Sequence, residues 1–411
     1  MFCYSQDPAF LGGSLGETHA DTIVRTLRLA GEAGAPVVGF VESGGARLQE
    51  GHAALGGYGR IFRESVRLAR RVPQISIVAG VSAGGGAYSP ALTDFVLMSR
   101  DARLFLTGPK VVAEAVGEDV SMEDLGGPRI HEHNGVCQMV AEDEAGAIAE
   151  ARRLLGLLPQ TIGQPAEVID SDPPEIDDPG ATVPIDGRKT YDVRKTARAI
   201  CDSGSLVDIH PRWGDGIFTG LARLKGRPVA VVANQPRRFG GVIDAQAAEK
   251  AAGFIAMADR FGLPLIVLVD TPGFMPGLRQ EKAGVIRHGA SLLRAFAGAS
   301  VPKLTVVTRK AYGGAAITMN SRDLGADVVF AWPSAEIGIM AASQAVNFVH
   351  RREIADGSGD RDQLADAYAA EHLTADAAAA SGFVDEVIEP VDTRDSLDWA
   401  LSTVAVGQRA A

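Results

Sequence analysis

Residues 302–315 read Pro302-Lys-Leu-Thr-Val-Val-Thr-Arg-Lys-Ala-Tyr-Gly-Gly-Ala315. A β-branched, apolar run feeds into adjacent glycines, and a helical pattern follows. This is how a buried strand ending in a tight turn at a helix start reads. Upstream, Pro264-Leu-Ile-Val-Leu-Val269 runs into Asp270-Thr-Pro-Gly273 in the same way. The first half repeats both features. Pro36-Val-Val-Gly-Phe-Val41 runs into Glu42-Ser-Gly-Gly45, and Pro73-Gln-Ile-Ser-Ile-Val-Ala79 leads to Ser82-Ala-Gly-Gly-Gly86. Further strands are expected at Phe95–Met98, Leu104–Leu106, Val328–Phe330 and Glu336–Ile339. Glu42 to Gly84 spans 42 residues and Asp270 to Gly313 spans 43. One α/β architecture is therefore used twice, an internal duplication. Apolar runs without alternation predict strands covered on both faces by crossover helices.

Between the halves, residues 154–187 contain no Lys or Arg and carry six prolines among acidic side chains. Proline blocks helix and central strand, and like charges repel, so an extended connector is expected. The predicted organisation is a first domain at 1–165, a linker at 166–187 and a second domain at 188–411.

The whole chain has 411 residues, 46% hydrophobic and 22% charged, which excludes a largely disordered protein. A net charge of −11 argues against general nucleic-acid binding. Cys3, Cys137 and Cys201 form no C-x-x-C pair, so neither a disulfide scaffold nor a zinc ribbon is expected. No apolar run approaches 18 residues, and no basic region precedes an apolar one at the start. A cytoplasmic protein with no membrane partner is expected.

Two glycine turns are the candidate chemistry. Gly84-Gly85-Gly86 and Gly313-Gly314-Ala315 each open a helix. A helix start leaves amides unpaired under a partial positive charge, and glycine or alanine lets a ligand approach them. Such turns suit a phosphate or a developing oxyanion. No phosphate-binding G-x-x-x-x-G-K-[ST] loop and no G-x-G-x-x-G after a strand occurs. His131 and His133 lack metal-ligand spacing and read as a polar loop. Ser43 does not sit in a nucleophile elbow. Arg60, Arg63, Arg67, Arg70 and Arg71 recur at helical spacing, either as a solvated face or as a stripe for nucleotide phosphates.

The motifs together resemble a family, the biotin-dependent acyl-CoA carboxylase β subunits of the propionyl-CoA carboxylase type. In the first half the resemblance is carried by Gly12-Gly-Ser-Leu-Gly16, Glu42-Ser-Gly-Gly-Ala-Arg-Leu-Gln-Glu-Gly51, Ala83-Gly-Gly-Gly-Ala-Tyr-Ser-Pro-Ala-Leu-Thr-Asp94 and Thr107-Gly-Pro109. Tyr191-Asp-Val-Arg194, Ala247-Ala-Glu-Lys-Ala-Ala252, Ile286-Arg-His-Gly-Ala290, Arg309-Lys-Ala-Tyr-Gly-Gly-Ala315 and Ala331-Trp-Pro333 carry it through the rest. The resemblance implies two tandem crotonase-like domains of the ββα superhelix type. It also implies a homohexamer whose active sites lie between the first domain of one copy and the second domain of another.

By motif match, Gly84 and Gly85 are expected to donate to the thioester oxygen of an acyl-CoA, and Gly314 and Ala315 to the ureido oxygen of biotin. The surrounding pocket is expected to include Gly44, Gly45, Gly86, Tyr88, Gly273, Tyr312 and Gly313. Ile317 is expected to set acyl-chain preference. In the family, Asp at that position accompanies propionyl selectivity and Ile accompanies acceptance of acetyl-CoA as well. The implied reaction moves a carboxyl group from carboxybiotin to the α-carbon of acetyl-CoA or propionyl-CoA. The chain has no Met-Lys-Met biotinylation site and no ATP motif. Biotin is therefore expected on a separate biotin carboxylase/carrier α subunit, and no metal is expected on this chain. The alternatives are a biotin-dependent decarboxylase subunit running the same half-reaction backwards, or a non-catalytic subunit of the complex. Valine at Gly85 or Gly314 is expected to stop turnover with the fold intact. The resemblance leaves fewer residues before Gly12 than is usual, so either the first sheet is expected to lack strands or the start codon is misassigned.

Overall fold

The apolar runs form two separate sheets, and the duplication is visible strand by strand. The computed structural model describes residues 1–410. One unit comprises residues 1–167, 209–213 and 260–262, and the other holds the remaining described residues.

In the first unit the strands are β1 (Phe2–Ser5), β2 (Val37–Phe40), β3 (Gln74–Val78), β4 (Val81–Ala83), β5 (Phe95–Ser99), β6 (Arg103–Phe105) and β7 (Met139–Ala141). They form a parallel sheet in the order β1-β2-β3-β5-β7, with β4 and β6 paired beside it. The helices Glu17–Ala33 and His52–Leu68 cover one face. Their apolar stripes, including Ile23, Leu27, Tyr58, Ile61 and Leu68, close over Val37 and Val72. Val41, Val78, Val96, Met98, Leu104 and Cys137 form a second cluster. Arg129–Asn134, expected as a polar loop, lies within a short helix, Pro128–Asn134. Pro128 is preset for a first helical position, and Gly135 ends the helix in the left-handed region.

In the second unit the strands are β8 (Val207–Asp208), β9 (Ile217–Leu224), β10 (Arg227–Asn234), β11 (Leu265–Thr271), β12 (Lys303–Tyr312), β13 (Val328–Ala331), β14 (Glu336–Gly338) and β15 (Glu386–Val387). The order is β15-β13-β12-β11-β10-β9-β8, with β14 against the far end of β12. β12 pairs β13 through Leu304–Val307, then turns to β14 through Lys310–Tyr312. The first unit divides the same task between β3, which pairs β5, and β4, which pairs β6. The β9–β10 hairpin turns on Lys225 and Gly226, both at positive φ, which matches antiparallel strand twist. Among the described residues the first sheet ends at β1 and has no counterpart of that hairpin.

Residues 166–187 hold no helix or strand beyond one turn at Pro179–Thr182. They are fastened to the second unit rather than hanging free. The Thr182 and Thr196 hydroxyls lie 2.7 Å apart. Arg394 donates to Ser171 Oγ and to the Asp172 carbonyl at 3.0 Å. Proline denies the segment regular structure, and neighbouring donors satisfy its carbonyls. No helix among the described residues is long and apolar enough to cross a membrane.

Candidate active site

The first turn begins where β4 ends. Gly84 has φ 58° and ψ −127°, a conformation that favours glycine, and the helix Gly85–Ala91 follows. The sequence led us to expect the Gly84 amide to face a ligand, but here it is engaged within the fold. That N–H donates to the Phe105 carbonyl at 3.1 Å, because β4 pairs with β6. The Ala87 N–H donates to the Gly84 carbonyl at 3.0 Å. The Gly85 amide has no acceptor among the described residues.

The loop after β2 lies alongside. Ser43 N–H donates to the Val81 carbonyl at 2.9 Å, and Ala83 N–H to the Ser43 carbonyl at 2.8 Å. Gly44 N–H is spent on the Gly12 carbonyl at 2.8 Å, and Gly45 N–H on Ser43 Oγ at 3.2 Å. Gly45 Cα lies 3.8 Å from the place a Gly84 Cβ would take, so the two glycine stretches meet. Tyr88 stands half-exposed on the helix, edge-on to Phe62 at 6.1 Å.

The second turn repeats the plan. β12 ends at Tyr312, Gly313 has φ 58°, and the helix Gly313–Thr318 starts. Among the described residues nothing accepts from the Gly314 or Ala315 amide. Gly313 and Gly314 open on a cleft of about 640 Å³, whose wall includes Ala316, Ile317, Ile337, Ile339 and Phe383. Ile317 is 47% exposed, so it is a cleft residue and not a core residue beneath its helix. The Ala315 side chain is buried, so only its backbone can serve the site.

Two expected pocket residues are elsewhere. Tyr312 is buried away from the cleft wall, with its hydroxyl on Glu336. Burial, then the Glu336 carboxylate, pushes that phenol far above its usual range. The Gly273 amide donates to Thr271 Oγ1 at 3.3 Å, and its carbonyl accepts from Ile243 at 3.1 Å. It is a turn residue and does not line the cleft.

Behind the second turn lies a buried ion pair that the sequence reading missed. Arg309 Nε donates to Asp270 Oδ2 at 3.0 Å, and its guanidinium sits 5.1 Å over the Tyr191 ring. Arg309 Nη1 also reaches the Lys189 carbonyl at 2.9 Å. Burial pushes the Asp270 carboxyl above its usual range, and Arg309 opposes that shift. The only signal in the sequence was a charge inside each strand-end motif.

The arginine stripe is largely spent. Arg60 pairs with Asp21 at 3.0 Å, while Arg63, Arg67 and Arg28 converge on the buried Glu64. His131 Nε2 bonds the Leu104 carbonyl at 2.6 Å. Among the described residues no group of three His, Cys, Asp or Glu could hold a metal ion.

Residues 1–410 match the family model described as the carboxyl transferase domain. A Haloferax mediterranei protein named propionyl-CoA carboxylase, carboxyltransferase subunit, is 45% identical over 405 residues, 97% of this chain and 78% of the relative. The methylmalonyl-CoA decarboxylase subunit alpha of Veillonella parvula is 43% identical over 410 residues, 98% and 80% of the two chains. A solved transcarboxylase 12S structure, described as a hexamer assembly with methylmalonyl-coenzyme A and methylmalonic acid bound, matches with a TM-score of 0.93 at 45% identity. The match covers 98% of this chain and 79% of that one. Both units are crotonase-like, as in these carboxyltransferases.

Proposed function

This chain belongs to the carboxyl transferase domain family, and on that premise we propose that it moves a carboxyl group between biotin and the α-carbon of a short-chain acyl-CoA. The observation that carries the reading is the pair of equivalent turns whose leading amides meet no acceptor: Gly85 in one unit, Gly314 and Ala315 in the other.

Removing the α-proton of a thioester leaves charge on its oxygen, and an amide aimed at that oxygen stabilises the charge without reorganising. We assign this role to Gly85. Gly314 and Ala315 suit the ureido oxygen of biotin, since their amides are unspent and Gly314 lines a cleft walled largely by apolar side chains. Biotin supplies the activated carboxyl group and a basic ureido nitrogen, so the reading requires no side-chain base, although Glu371 and His372 also line the cleft at the second turn. A separate carrier subunit and hexameric assembly complete the proposal. The similarity to a decarboxylase subunit favours a second reading in which the net direction is loss of the carboxyl group.

The test uses the purified chain with methylmalonyl-CoA and free biotin. Biotin-dependent formation of propionyl-CoA is expected, and its absence would overturn the proposal. Carboxylation of propionyl-CoA with a biotin-carrying partner then separates the two directions.

The exposure of Ile317 in the cleft supports a specificity role. The chain is expected to carboxylate acetyl-CoA and propionyl-CoA with kcat/KM values within about two orders of magnitude, the range one methylene allows. Ile317→Asp should shift the ratio towards propionyl-CoA with little change in Tm, because the side chain is not in the core. Competition between the two substrates measures the shift, and an unchanged ratio removes the role.

A further inference from the structure

A hydroxyl that the reaction does not consume backs the second turn. Thr318 follows Gly314 by four residues, and its Oγ1 donates to the Gly314 carbonyl at 2.7 Å. The Thr318 side chain is buried and is not part of the cleft wall. Just beyond it the chain is fastened to β12. Thr305 Oγ1 donates to the Asn320 carbonyl at 2.8 Å, and Asn320 Nδ2 donates back to Thr305 Oγ1 at 2.9 Å. Asn320 makes both contacts at φ 60°, in the left-handed region that asparagine tolerates better than most residues. The segment that carries Thr318 is therefore held at its far end, and the hydroxyl reaches back from it to the turn.

The Gly314 carbonyl and the Ala315 N–H belong to one peptide group. In a trans peptide they point in opposite directions. A donor on the oxygen therefore stands behind the N–H, on the side away from whatever that N–H faces. Two effects result. The bond fixes the tilt of a peptide preceded by two glycines, where no Cβ restrains the backbone. It also draws electron density through the amide, which makes the N–H a stronger donor by about 10–30% per bond.

We propose that Thr318 is a positioning residue for the biotin side of the reaction: its hydroxyl orients and polarises the peptide whose Ala315 amide serves the ureido oxygen. The proposal rests on reading Gly314 and Ala315 as the donors to that oxygen. Stabilisation of the helix does not account for the bond, because a threonine that bonds back to the carbonyl four residues earlier slightly weakens a helix.

The experiment compares the full chain with Thr318→Val and Thr318→Ser. Valine keeps the shape and loses the hydroxyl, while serine keeps the hydroxyl and loses a methyl group. Turnover is measured with methylmalonyl-CoA and free biotin. One oxyanion donor supplies about 10²–10³ in rate, and 10–30% of that free energy corresponds to roughly two- to eightfold. Thr318→Val should lower kcat by about that factor, with KM for methylmalonyl-CoA unchanged, because the acyl group is assigned to the other turn. Thr318→Ser should keep the parent kcat. A hydroxyl with a merely structural role would change Tm and leave kcat as it was.

The second readout is the infrared band of biotin labelled with ¹³C at the ureido carbonyl, bound to the full chain without acyl-CoA. On the parent the band should lie below that of free biotin, and on Thr318→Val it should move part of the way back. An unaltered kcat or an unaltered band in Thr318→Val overturns the role of Thr318 and leaves the Gly314 and Ala315 reading standing. A loss of kcat that serine shares to the same extent overturns it too, since the hydroxyl is then not the cause. A band unshifted on binding to the parent overturns the donor reading, and the role of Thr318 with it.

Discussion

Replacing Gly314 with valine is expected to lower kcat by at least about 100-fold, while the chain keeps its secondary structure and assembly. Gly314 is not at positive φ, and no heavy atom lies within 4 Å of the place its Cβ would take. Room for the new Cβ is therefore open, and the methyl groups beyond it are expected to crowd the space before the unspent amides. A ligand oxygen held off by two methyl groups cannot reach hydrogen-bond distance. Steady-state kinetics with circular dichroism and light scattering on the same preparation checks this. A near-normal kcat in a folded Gly314→Val variant would remove the second turn from the chemistry. Gly85→Val is not the equivalent test that the sequence suggested. There a Cβ would press on the Tyr58 ring, so packing and catalysis would fail together.

The second large effect concerns stability. Arg309→Met is expected to cost about 3–5 kcal/mol, because it leaves the Asp270 carboxylate buried without its counter-charge. It also releases the Lys189 carbonyl, which loosens the segment that leads into the second unit's first long helix. Urea denaturation followed by tryptophan fluorescence checks the loss. The pH dependence carries a sign. Burial raises the folded Asp270 carboxyl above its unfolded value, and removal of Arg309 strengthens that direction. A raised carboxyl means that the folded chain binds the proton more tightly. Its contribution is fully present below the unfolded value and is lost as pH rises through the folded one. The deficit of Arg309→Met should therefore shrink on going from about pH 8 to about pH 5. Asp270→Asn added to Arg309→Met should recover part of the loss at pH 8, since no charge is then stranded. A single variant as stable as the parent, or a deficit that grows on acidification, contradicts this account.

The sequence alone determined the duplicated architecture and the place of both turns. Runs such as Leu265–Val269 and Val306–Val307 are apolar on both faces, and only covered parallel strands bury them fully. Adjacent glycines after such a run mark a turn that residues with a Cβ could not make, and Gly84 and Gly313 both have φ 58°. The family was legible for the same reason, since its motifs are those turns and the loops that support them. What the sequence could not determine was which amide in a turn stays unspent. That depends on acceptors far along the chain: the Phe105 carbonyl, 21 residues on, takes Gly84, and the Gly12 carbonyl, 32 residues back, takes Gly44. The exposure of Ile317 and the burial of Ala315, two residues apart, likewise follow from helix phase against a wall built by residues 337–383. The Asp270–Arg309 pair needed β11 and β12 to be neighbours, with β12 displaced in register past Val269. Local pattern fixes where a strand must turn, because backbone sterics act over a few residues. Hydrogen-bond saturation and charge pairing are decided only when distant segments meet, because each donor and each buried charge is settled by whichever partner the folded chain places within reach.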